Sequence, residues 1–124
     1  MHKSIKNLTI VEDQIKSRFD KSANAQIIAV CKTFPMSEIE PLINHGHIHF
    51  GENKVQEAVA KWTEVKKENQ NIRLHMIGKL QSNKAKKAVE IFDYIHSLDN
   101  QKLADKLSRE QQNLGKKLKY FIQV

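Results

Sequence analysis

The sequence predicts an α/β fold in which parallel strands are joined by helical crossovers. Three observations predict it: short apolar runs alternate with helical patterns along the chain, the runs recur at a regular pitch, and the residues between them are those that start and stop helices. Strands linked through helices run parallel and are covered by those helices, which leaves a doubly wound sheet or a (β/α)8 barrel.

The elements follow in order. Ile5, Leu8, Ile15 and Phe19 mark a helix over residues 1–21, ahead of the first strand. Ile27 to Cys31 is a short run rich in branched residues, which reads as a buried strand. Ile39, Leu42 and Ile43 then form one apolar stripe, with Ser37 and Glu40 at capping-box spacing, Pro41 in the first turn or just after it, and Gly46 placed as a C′ glycine. Ile48 to Phe50 is the second strand. Val55, Ala58, Val59 and Trp62 fall at i, i+3, i+4 and i+7, as one buried face of a helix requires. After the strand Leu74 to Ile77, the residues Ala85, Ala88, Val89 and Phe92 repeat that spacing. Tyr94 to His96 is the fourth strand, Asp99 is positioned to cap a last helix ending near Gly115, and Leu118 to Val124 is the fifth strand.

The strands begin near 27, 48, 73, 94 and 118, a pitch of 21 to 25 residues. A barrel at this pitch needs about 200 to 250 residues for its eight units, so this chain holds roughly half of one. The sequence closes at Val124 inside a strand, and an uncovered apolar edge is an aggregation liability. The expectation is a truncated barrel or one half of a split barrel, with a complete five-stranded flavodoxin-like sheet as the alternative.

A length of 124 residues suits a single domain over 1–124 with no second domain. With 40% hydrophobic and 28% charged residues, the composition is that of a folded globular chain and not of a disordered one. Cys31 is the sole cysteine and has no intrachain partner, and the first residues carry charges where a signal peptide needs an apolar stretch; both predict a cytoplasmic setting. No run of 18 apolar residues occurs, so no membrane partner is expected. The net charge of +7 raises nucleic acid as a partner. The lysines are dispersed over every helix, mixed with glutamates, and aromatic residues for base stacking are scarce, so the charge reads as solvated helix faces.

In parallel α/β folds the functional loops follow the carboxyl ends of the strands. Those positions here are Lys32 to Pro35, Gly51 to Lys54, Gly78 to Lys84, and Ser97 to Asp99. Lys32 ends a buried apolar strand, where desolvation frees an amine to attack a carbonyl; the alternative is a lysine that snorkels to solvent. Asn53 can present its amide to a ligand or cap the helix that follows. Gly78-Lys79 does not complete a phosphate loop, because the position that needs a glycine is Arg73. His45, His47 and His49 alternate but fall on different elements, which argues against a metal site. His75 and His96 each stand alone in a strand, as core or lumen histidines do. No Ser-His-Asp or paired-carboxylate arrangement is present, and Cys31 alternates away from Lys32 as a packed apolar residue.

Taken together, the segments Ala29-Val30-Cys31-Lys32-Thr33, Phe50-Gly51-Glu52-Asn53-Lys54-Val55-Gln56-Glu57, His75-Met76-Ile77-Gly78-Lys79-Leu80-Gln81-Ser82-Asn83-Lys84 and His96-Ser97-Leu98-Asp99 resemble the pyridoxal phosphate homeostasis proteins in order and in separation. The resemblance runs from about residue 26 to the end, where Phe121 to Val124 is similar to the family's mid-chain strand. It implies a PLP-binding barrel of the alanine-racemase type, of which this chain is the N-terminal half. It also implies pyridoxal 5′-phosphate (PLP) as cofactor, with Lys32 as the lysine that forms the aldimine, Asn53 beside the ring, and His75 and Ile77 lining the pocket. The implied role is non-catalytic: PLP is bound and handed to PLP-dependent apo-enzymes in vitamin B6 homeostasis. Cys31 stands where the family commonly has serine, and Lys79 where it often has histidine or proline. The family's phosphate-binding loops lie beyond Val124, so binding by this chain is expected to be impaired unless a complementary C-terminal half of the barrel is supplied. The alternative is a fragment of a PLP-dependent racemase or decarboxylase, which would require a second, β-rich domain.

Overall fold

The computed structural model describes residues 2–18 and 26–122. Phe19, the end of the expected helix over 1–21, and the last two residues of the expected fifth strand lie outside the described residues. The helix α1 (Lys3–Arg18) is followed by β1 (Ala29–Val30), α2 (Met36–Asn44), β2 (His49–Glu52), α3 (Val55–Glu68) and β3 (Arg73–Met76). A 3-10 turn at Ser82–Lys84 then leads into α4 (Ala85–Ile91), β4 (Tyr94–Leu98), α5 (Gln101–Leu114) and β5 (Lys119–Ile122).

All five strands pair in parallel, in the order β1-β2-β3-β4-β5. A doubly wound sheet reverses its strand order at a switch point, whereas a barrel wall keeps chain order. The sequential order therefore decides between the two predicted architectures in favour of a barrel wall. Phe50 pairs with Ala29 on one side and with Leu74 on the other, and Met76 pairs with Ile95.

The core lies between this wall and the helices. Phe50, Leu74, Met76 and Ile95 project from the strands onto Ala58, Trp62, Ala88, Val89, Leu103 and Leu107 of α3, α4 and α5. Trp62 and Phe50 are fully buried with ring centroids 5.0 Å apart. Each such side chain contributes about 1.5–3 kcal/mol through burial. Strand alternation then places His49, Gly51, His75, Ile77, Tyr94 and His96 on the opposite, open face.

The helix boundaries depart from the capping pattern in the sequence. Pro35 is the N-cap of α2 and no side chain bonds there, so Ser37 lies inside the helix and the expected capping box does not form. Asn100, not Asp99, caps α5: its Oδ1 accepts from the Leu103 N–H at 2.8 Å, while Asp99 accepts from the Asn100 amide. Gly46 and Gly115 end α2 and α5 with φ of +100° and +69°, the left-handed conformation that suits glycine. Among the described residues no helix is long and apolar enough to cross a membrane.

Candidate functional site

Lys32 leaves the carboxyl end of β1 in a turn that is tied down on both sides. The Cys31 N–H donates to Gly51 O at 2.8 Å, which prolongs the β1–β2 pairing, and the Phe34 N–H donates back to Cys31 O at 3.1 Å. Thr33 has φ of +65°, an outlier for a β-branched residue. Its N–H donates to Glu57 Oε1 at 2.8 Å. Glu57 is held below the usual carboxylate range, mainly by that backbone N–H. Lys32 itself is exposed, and among the described residues its ammonium forms no ion pair. Cys31, by contrast, is buried, and burial followed by the Glu52 charge pushes its thiol up to about 12. It packs and does not act as a nucleophile.

Asn53 follows the next strand end and, like Lys32, stands two residues beyond the pair Val30 and Gly51. Lys54 is the N-cap of α3 and no side chain caps that helix, so Asn53 is not spent on capping. Gly51 has no side chain where Ile28 and Ile77 close over it: a Cβ there would lie 3.0 Å from one and 3.2 Å from the other. Gly78 is packed on Asn53 so closely that a Cβ would come within 2.6 Å of the Asn53 Cβ. The Ile77 N–H donates to Glu52 O at 3.0 Å and joins the loop after β3 to the loop after β2. A cavity of about 650 Å³ opens beside Asn53, lined among others by Lys54, Gln56, Lys79, Leu80 and Lys84.

Three histidines run diagonally across the open face. His49 Nδ1 lies 3.0 Å from His75 Nε2, and His75 Nδ1 lies 2.9 Å from His96 Nε2. Tyr94 stacks on His75 at 4.2 Å with 7° between the planes, and Phe121 stacks on His96 at 4.6 Å. Burial lowers the proton affinity of all three imidazoles, and that of His75 falls to about 4 because His96 and His49 add to the effect. The sequence presented His75 and His96 as isolated residues; the structure joins them into one row. His45 ends α2 and His47 packs edge-on against Phe50, so the alternating histidines do not converge. Among the described residues no group of three His, Cys, Asp or Glu side chains is arranged to hold a metal ion.

Lys32, Asn53, His75 and Ile77 therefore share one face and the carboxyl ends of neighbouring strands. The residues that sequence reasoning missed lie behind them. Glu52 is fully buried, and its Oε2 accepts from Trp62 Nε1 at 2.9 Å and pairs with Lys61 Nζ at 2.8 Å. Lys61 Nζ also donates to Cys31 O at 2.6 Å, Phe34 O at 2.8 Å and Glu57 Oε1 at 3.3 Å. The signal that could have found them is the parity of Phe50-Gly51-Glu52, which turns a carboxylate to the helix side of a buried strand.

No family model matches the chain. It is 42% identical over 101 residues to a pyridoxal phosphate homeostasis protein of Synechocystis sp., a match that covers 82% of this chain and 46% of that one. Proteins of the same name from Pasteurella multocida and Escherichia coli are 34% and 33% identical, each over 95% of this chain and 52% and 53% of theirs. Among solved structures, PipY of Synechococcus elongatus with PLP bound superposes with a TM-score of 0.76 at 44% identity, over 88% of this chain and 50% of that one. A protein from Bifidobacterium adolescentis superposes with a TM-score of 0.75 at 28% identity. The five strands are thus the N-terminal portion of a (β/α)8 barrel, and the chain spans about half the length of the relatives it matches.

Proposed function

The chain belongs, over the half of the length that it spans, to the pyridoxal phosphate homeostasis protein family, and from that premise we propose that it binds PLP covalently through Lys32. The observation that carries this reading is the position of Lys32: an exposed ammonium without an ion-pair partner among the described residues, at a strand end on the open face, in the loop next to that of Asn53. The surroundings are compatible with the group, since Ile77 closes over the bare backbone of Gly51, and Tyr94, stacked on the buried His75, gives the open face an aromatic wall against which a heteroaromatic ring can lie. PLP supplies an aldehyde that condenses with a primary amine. In this reading Lys32 Nζ is the amine, Asn53 offers its amide beside the ring, and His75 and Ile77 line the pocket.

Residues 1–124 act as one domain, the leading portion of a PLP barrel, in vitamin B6 homeostasis in the cytoplasm. The role is to hold and release PLP toward PLP-dependent apo-enzymes, without turnover of a substrate; the name carried by the relatives supports it. Barrels commonly take their phosphate site from loops after the seventh and eighth strands, and the described residues contribute five strands. PLP is therefore held chiefly by the amine here, weakly unless a complementary C-terminal half completes the barrel.

The test is borohydride trapping on the 124-residue chain followed by peptide mass spectrometry. The expected result is an adduct on Lys32 in clear excess over the exposed Lys102 of α5, abolished at that site by Lys32→Ala with the fold intact. Equal labelling of Lys32 and Lys102 would overturn the assignment.

A further inference from the structure

Two peptide planes flank the Lys32 Cα, and together they set its φ and ψ and hence the direction in which its side chain departs. Both planes are pinned by side chains of α3. The plane before Lys32 is held through Cys31 O, 2.6 Å from Lys61 Nζ. The plane after it is held through the Thr33 N–H, 2.8 Å from Glu57 Oε1. Lys61 closes the arrangement by reaching Phe34 O at 2.8 Å and Glu57 Oε1 at 3.3 Å.

The anchor of this clamp is in the core. Glu52, with no exposed surface, faces Lys61 at 2.8 Å and takes a second hydrogen bond from Trp62 at 2.9 Å. A buried ion pair is a poor source of stability, because desolvating both charges costs about as much as their attraction returns. What such a pair supplies is a fixed geometry. Here the geometry is spent on a turn in which Thr33 is held at φ +65°, a conformation the surroundings must enforce.

We propose that Lys61 is the positioning residue of the site: tied to Glu52 and Glu57, it fixes the backbone on both sides of Lys32 and so aims the Lys32 amine onto the open face. This rests on the assignment of Lys32 as the PLP-binding amine. An amine must be held within about 0.5 Å and 10–20° of its productive placement to react efficiently, and a long side chain magnifies any rotation at its base.

The test compares Lys61→Met and Lys61→Arg with the unchanged 124-residue chain. PLP is added and trapped with borohydride: the amine adds to the aldehyde, one water leaves, and hydride reduces the resulting C=N to a secondary amine. The readout is the ratio of adduct on Lys32 to adduct on Lys102 in the same sample, alongside amide hydrogen exchange at Thr33. Lys61→Met is expected to lower the ratio about tenfold and to speed Thr33 exchange by a similar factor. Lys61→Arg, which keeps the cation, is expected to recover most of both. A purely structural role would change labelling of both lysines in step with the folded fraction, leave the ratio unchanged and overturn the proposal. So would unaltered Thr33 exchange in a folded Lys61→Met. Should Lys61→Met fail to fold, Glu57→Ala releases the Thr33 N–H without uncovering a buried charge, and an unchanged ratio there overturns the proposal equally. A ratio near one in the unchanged chain sinks the PLP assignment instead, and Thr33 exchange then decides the clamp alone.

Discussion

His75 and His96 share a hydrogen bond across β3 and β4, with Nδ1 of the first 2.9 Å from Nε2 of the second. The opposite nitrogen of His75 faces His49 at 3.0 Å, so both ring nitrogens of the central histidine are engaged. Burial and the two neighbouring imidazoles lower His75 from 6.5 to about 4, against a weak opposing effect of Asp93. The unfolded chain therefore takes up a proton that the folded chain refuses between those values. Stability is full above about pH 6.5, falls as the pH drops through the window, and has lost this contribution below about pH 4. The expected loss is roughly 2–3 kcal/mol, read from urea unfolding at pH 7, 5.5 and 4.5. His75→Gln should flatten the slope; an equal slope in that variant would show that other groups govern the acid response.

Gly78→Ala is expected to destabilise the protein by about 1–3 kcal/mol, as forced overpacking does. The added Cβ would meet the Asn53 backbone and stand 2.6 Å from its Cβ, and backbone cannot yield as a flexible side-chain tip does. Thermal unfolding followed by circular dichroism measures it. A melting temperature equal to the parent's would mean that the two loops part freely.

Glu52→Met leaves the Lys61 ammonium, 15% exposed, without its shorter ion pair and with only Glu57 Oε1 at 3.3 Å as a charged partner. Loss of one member of a buried pair costs about 3–5 kcal/mol. The double variant Glu52→Met, Lys61→Met removes both charges and is expected to be more stable than Glu52→Met alone. A double-mutant cycle by urea denaturation checks this, and additive effects would deny the coupling.

At the other end of the barrel wall, Lys116 Nζ donates to Val89 O and Phe92 O, both at 2.9 Å, and to Glu90 O at 3.3 Å. These carbonyls close α4, whose last turn has no basic residue of its own. Lys116→Met should cost about 1–3 kcal/mol through the unpaired carbonyls. Amide exchange over 85–92 would rise if the last turn of α4 frays, and unchanged exchange would contradict the assignment.

The strand–helix alternation was legible because apolar periodicity is a local property: all five strands form where the branched runs lie, although β1 shortens to Ala29–Val30. The position of the candidate loops was legible as well: they follow the carboxyl ends of parallel strands, which converge on one rim. Capping was read one residue off at Asp99, because Asp99 and Asn100 are equally suited by type and only the turn geometry chooses. The lysines were least legible. In sequence Lys61 and Lys66 resemble solvated helix faces and Lys116 an ordinary loop residue, yet each of the three bonds at least one backbone carbonyl 24 or more residues away. The histidine row was hidden for the same reason, since its members stand in three strands and meet only through sheet register.

A row of neutral imidazoles has a direction. Each ring holds one N–H and one bare nitrogen, so the two hydrogen bonds of His49, His75 and His96 must point the same way, toward β2 or toward β4. Moving the proton of His49 from one nitrogen to the other obliges His75 and His96 to follow. The nitrogen of His96 left outside the row, Nδ1, then changes from donor to acceptor or back. A tautomer chosen at one margin of the open face is thus legible at the other, with no backbone displaced between them.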